Sequence, residues 1–134
     1  MKTVVAALFL TFGFVSSASA DDTRDAYDRG VAAQRRGDNA AALTEYRFAA
    51  ERADANAQGK LGIMYMYGGR GIAQDFVQAH LWLSLAAANA SPGSEKAAAV
   101  TNGMMVKGRM SAAQIAEAQK LAVAWAETHA TQTP

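Results

Sequence analysis

Gly68, Gly69, Arg70 and Gly71 form the stretch of this chain whose residue types could cradle a phosphate. A Walker loop needs its second glycine followed by Lys and Ser or Thr, and a strand before it. Here Ile72-Ala73-Gln74 follows and a helical segment precedes, so that chemistry is excluded. A dinucleotide fingerprint fails as well, because no glycine stands three residues after Gly71. His80 and His129 are the only imidazoles, far apart in sequence and without a carboxylate pair at ligand spacing. His80 reads as a surface residue of a helix, and His129 as a cation near a helix C-terminus. The chain has no cysteine, which removes thiolate metal sites and a Cys nucleophile. Ser84, Ser94 and Ser111 suit packing or capping better than nucleophilic work. Met64, Met66, Met104, Met105 and Met110 read as fillers of irregular gaps. These residues predict no catalytic centre, no metal site and no cofactor.

The elements that carry these residues are helical. Alanine dominates, β-branched residues are sparse, and apolar positions recur at three and four. The class expected is all-α. A shift of 31 residues lays Ala26 on Ala57, Gln34 on Tyr65 and Gly37 on Gly68. A shift of 37 lays Asp38 on Asp75, Ala42 on Ala79, and Ala49-Ala50 on Ala86-Ala87. The six-residue difference matches Gly69 to Gln74, so two helix hairpins repeat and the second has a longer turn. The glycines are thus predicted to close one helix and turn the chain into the next. Asp75 and Gln78 are spaced as a capping box, as are Ser111 and Gln114. Ser91 or Ser94 is the expected cap of a further helix ending at Gly108, which would pair with the segment after Ser111 as a third hairpin. The polar first and last helices suit the ends of a stack.

Residues 1–20 read as a cleaved signal peptide: Lys2 is basic, Val4 to Val15 is apolar, and Ala18-Ser19-Ala20 has the small-x-small pattern. The mature chain would start at Asp21, with a helical repeat domain over 21–130 and a tail over 131–134. Without Lys2, 12 basic residues face 12 acidic ones. Near-neutrality argues against nucleic acid or an anionic membrane surface as the main partner, and no stable membrane insertion is expected after cleavage. A secreted domain without disulfides must be held by packing alone.

The second hairpin resembles the SEL-one-like repeat, a relative of the tetratricopeptide repeat. The residues that carry the resemblance are Ala57, Leu61, Gly62, Tyr65, Gly68, Gly71, Asp75, Ala79, Trp82, Ala86 and Ala87. The first hairpin is a more degenerate copy, with Gly30-Val31 for Leu-Gly, Gln34 for Tyr65 and Glu45 for Trp82. The resemblance implies a right-handed α-solenoid of about three antiparallel helix hairpins, acting as a non-catalytic adaptor in the bacterial envelope. It carries over no catalytic residues. If the first helices of the hairpins line a concave face, Arg29, Arg36, Lys60, Met64 and Tyr67 form a basic stripe with one aromatic. Such a stripe suits an extended peptide carrying acidic groups. The expected protein is periplasmic or secreted and binds a protein or peptide. The alternative is a glycan-binding or cell-wall assembly adaptor, with Tyr65 or Tyr67 stacking on sugar.

Overall fold

The computed structural model describes residues 19–130 and contains six helices: α1 (Ala20–Arg35), α2 (Asn39–Ala50), α3 (Ala55–Tyr67), α4 (Phe76–Asn89), α5 (Ser94–Lys107) and α6 (Ala112–Ala130). Among the described residues no strand occurs, only an isolated bridge between Gly69 and Ile72. The fold is all-α. Most of the expected signal peptide, and the 131–134 tail, lie outside the described residues. The expected cleavage point falls just inside α1, whose cap is Ser19 in a reciprocal box with Asp22.

Caps set most of the remaining helix starts. Asp38, Asp54 and Asp75 each accept from a backbone N–H three residues on, at 3.1, 2.7 and 3.0 Å. Ser111 and Gln114 satisfy each other's backbone N–H groups, the full box expected there. The Asp75 box is only half formed, because the Gln78 side chain instead accepts from Trp82 Nε1 at 3.2 Å. The cap expected at Ser91 or Ser94 is replaced by Gly93, which offers no side chain. Ser94 is already helical and its hydroxyl donates to Glu95 at 2.8 Å.

Helices α1 and α2 pack together, as do α3 and α4, and α2 joins the pairs by packing on α3. Close approach in each pair rests on a glycine facing a bulky side chain. A Cβ at Gly30 would lie 2.7 Å from the Tyr46 ring, and one at Gly62 would lie 2.6 Å from Leu83 Cγ. The expected third hairpin is not a packed pair. Helix α5 lies on α4 and α3, while α6 makes little contact with α5 and packs on α4. The reason is Trp125, which meets the Trp82 ring edge-on at 6.4 Å. With Ala122, it closes the core formed by Leu61, Met64, Leu81, Trp82 and Leu85 with the alanines of α1 and α2. His129 completes the attachment, stacking on Trp125 and placing Nε2 2.6 Å from the Glu51 carbonyl at the end of α2.

Between α3 and α4, Gly69 and Ile72 exchange backbone hydrogen bonds of 2.7 and 3.1 Å across Arg70 and Gly71. Both central residues have positive φ, +50° and +84°, the signature of a two-residue I′ turn. The Gly68 amide closes α3 on the Met64 carbonyl, and the Gly69 and Ile72 amides are spent on each other's carbonyls, so the junction is a shaped connection between the helices. Gly71→Val is expected to lower unfolding free energy by about 1–3 kcal/mol, with Gly71→Asn costing less, since Asn tolerates positive φ. Urea titrations of the two variants check this, and coincident curves for Gly71→Val and wild type would refute a constrained turn. Trp82 is 4% exposed, so Trp82→Ala should cost about 3–5 kcal/mol. An unchanged denaturation midpoint would place the ring outside the core.

Candidate binding groove

Helices α3 and α5 both lean on α4 but touch each other only slightly. The gap between them is left open because the facing residues are small: Gly59 on α3, Ala86 on α4, and Ala98 and Ala99 on α5. The result is a groove of about 260 Å³, closed at one side by Tyr27 of α1. Its lining includes the apolar Ile63 and Leu83 and the polar Asn56, Lys60, Glu95 and Asn102. Asn amides offer both a donor and an acceptor, which is what an extended peptide backbone requires.

The electrostatics of the groove are mixed in sign. Burial, then the carboxylates Asp54, Asp28 and Glu95, push the Tyr27 phenol above its ordinary range, against an opposing effect of Arg24. The phenol therefore stays protonated and can donate. The Glu95 carboxyl is held below its ordinary value by the hydrogen bond from Ser94 and is ionised at neutral pH. Beneath Tyr27, Tyr46 is fully buried, pushed up to about 12 mainly by that burial, and donates to Gln34 at 2.9 Å. The two rings lie 5.8 Å apart, which fixes Tyr27 at the groove wall.

The five residues expected to form one stripe are dispersed. Lys60 does line the groove. Arg29 is exposed but paired with Glu45 of α2 at 3.0 Å, an interaction that raises the guanidinium pKa further. Arg36 caps the C-terminus of α1, beyond the groove. Tyr67 is 68% exposed and borders a different cavity with Met105 and Arg109. Met64 faces the core at 7% exposure, which corrects its place in the stripe. Its counterpart in the first hairpin, Ala33, is buried too. Tyr27, Asn56, Glu95 and Asn102 were missed. The signal that could have found them is the coincidence of small residues, Gly59 and Ala98-Ala99, on helices that share a neighbour.

Other residues with chemical capacity are placed as follows. The Tyr65 hydroxyl accepts a hydrogen bond from Arg47. His80 is half-buried, not the surface residue expected, and its Nδ1 is buried without a hydrogen-bond partner. Among the described residues no group of three or more His, Asp or Glu could hold a metal ion. Comparison with known proteins finds no match, whether among family models, curated proteins or solved structures.

Burial, followed by the charge of Lys107, lowers the His80 pKa below its ordinary 6.5. The unfolded chain therefore binds the proton more readily than the folded one. Stability from this site is intact above about pH 6.5 and is lost as pH falls through the depressed folded value. His80→Gln should therefore lose less melting temperature than wild type between about pH 7.5 and 5.5. Equal losses in thermal melts would show that His80 is not responsible.

Proposed function

We propose that this protein is a non-catalytic adaptor of the cell envelope, periplasmic or secreted, that holds an extended segment of a partner protein. In this reading its hairpins are SEL-one-like repeats in a short solenoid, an assignment supported by the Ala57 to Ala87 motif residues. The observation that carries the functional reading is the groove between α3 and α5, with its apolar Ile63 and Leu83 and its Asn56 and Asn102 amides. A peptide main chain can pair with both amides while a small apolar side chain packs on Ile63 and Leu83. Lys60 and Glu95 then select the charge of the flanking residues.

The glycan alternative finds less support. Sugar stacking wants an exposed aromatic face, yet Tyr65 is half-buried with its hydroxyl engaged, and Tyr67 stands outside the groove. The test places a photo-crosslinking amino acid at Asn56, and for comparison at Lys120 on α6, in cells expressing the protein. The Asn56 probe should give one discrete adduct, mapping to a single stretch of one partner, and the Lys120 probe should not. Ala98→Trp, which fills the groove from an exposed position, should abolish the adduct and leave the melting temperature unchanged. Adducts that survive Ala98→Trp would defeat the groove assignment, and binding to isolated cell-wall sacculi in its place would favour the glycan reading.

A further inference from the structure

The chain is near-neutral as a whole, yet its charges divide along the helix axes. Helices α1, α3 and α5 end, and α2, α4 and α6 begin, at one end of the bundle, where short connections join them. That end carries Arg35, Arg36, Arg70, Lys107 and Arg109, all exposed, against the capping carboxylates Asp38 and Asp75. The opposite end carries Asp21, Asp22, Glu51, Asp54, Glu95 and Glu127, against Arg24, Arg47, Arg52 and Lys96. The two ion pairs found among the described residues, Arg24–Asp28 and Arg29–Glu45, use no cation of the basic end.

The turns gather these cations. The Arg70 guanidinium reaches over the first hairpin's turn, to within 2.9 Å of where a Cβ on Gly37, the residue after Arg36, would lie. Arg70 is held at φ +50° in a position that glycine or asparagine fills without strain. Its side chain makes no hydrogen bond or ion pair among the described residues that would account for that choice. At the same end, where the start of α4 meets the end of α5, Tyr67, Gln74, Phe76, Met105 and Arg109 surround a cavity of about 160 Å³. Tyr67 and Met105 project into solvent, 68% and 53% exposed.

We infer that this end is a docking surface for an anionic lipid bilayer, with the arginines on headgroup phosphates and Tyr67 and Met105 in the interfacial layer. Tyrosine, with an apolar ring and polar tip, suits that layer, and arginine suits phosphate through its forked donors. A nucleic acid would want several stacking aromatics along a cationic track; here the cations sit on the tips of separate turns around one tyrosine. The acidic far end is repelled by the same surface, so an almost neutral molecule docks in one orientation. The contact is peripheral: no described helix is long and apolar enough to cross a membrane.

The test is co-sedimentation of the full expressed chain, its N-terminus read by mass spectrometry, with phosphatidylcholine vesicles containing or lacking phosphatidylglycerol. The expected result is binding that requires the anionic lipid, that falls several-fold in about 0.5 M salt, and that drops at least fivefold in Arg36→Glu/Arg70→Glu. Arg24→Glu/Lys120→Glu changes net charge equally but elsewhere, and should retain binding. Circular dichroism confirms that each variant is folded, and Tyr67→Ala, a milder change, should weaken binding without altering its salt dependence. No sedimentation with anionic vesicles at low salt would overturn the inference. So would equal losses in the two charge-reversed variants, or polyglutamate or single-stranded DNA displacing the vesicles at equal charge.

Discussion

Gln58 is a fully buried polar side chain with two hydrogen bonds, one tying the second hairpin to the first and the other joining the two helices of the second hairpin. Its Nε2 donates to the Ala50 carbonyl at the end of α2, at 3.1 Å, and its Oε1 accepts from Asn89 Nδ2 at the end of α4, also at 3.1 Å. One amide on α3 thereby ties together the far ends of the two helices beside it. An apolar contact tolerates sliding; a buried amide does not, because either bond broken leaves a polar group dry at a cost of about 1–3 kcal/mol. The groove shares α3 and α4 with this bond pair, so Asn56 and Ala86 stand on helices that the Gln58–Asn89 bond holds together.

Close packing acts in the perpendicular direction. Gly62 against Leu83, and Gly30 against Tyr46, bring each pair of helices nearer than side chains would otherwise allow. Between α3 and α5 small residues are also present, but Gly59 meets only the Ala86 methyl, 3.9 Å from where its Cβ would lie, and space remains. The same residue types therefore produce contact in one place and a cavity in another. What decides is the residue opposite each glycine: Leu83 faces Gly62 and Tyr46 faces Gly30, whereas Gly59 faces only Ala86.

Much of the helical order was legible because capping and alanine content are local properties. The turns at Gly37 and Gly68 and the Ser111 box all follow from residues within a few positions of one another. The position of α6 was not legible. It depends on Trp125 finding Trp82 across 43 residues, a choice between two neighbours that periodicity cannot make. Met64 was misplaced for a related reason: an exposed and a buried methionine look alike when the helix face is assigned by the wrong neighbour. The groove walls escaped notice because Tyr27, Asn56, Glu95 and Asn102 come from three helices and share no motif.

The reach of α6 has a consequence for the order in which the chain acquires its structure. Most helix contacts join elements one or two apart, α6 on α4 included, and can form as each segment is synthesised. The His129–Glu51 bond spans 78 residues and cannot form until α6 has emerged. Until then Trp82 lacks the Trp125 ring that covers it, and an apolar strip on α4 stays open to water or to other chains. A nascent molecule stalled before Trp125 would thus be ordered yet adhesive. Sealing the core is the task of its last nineteen-residue helix.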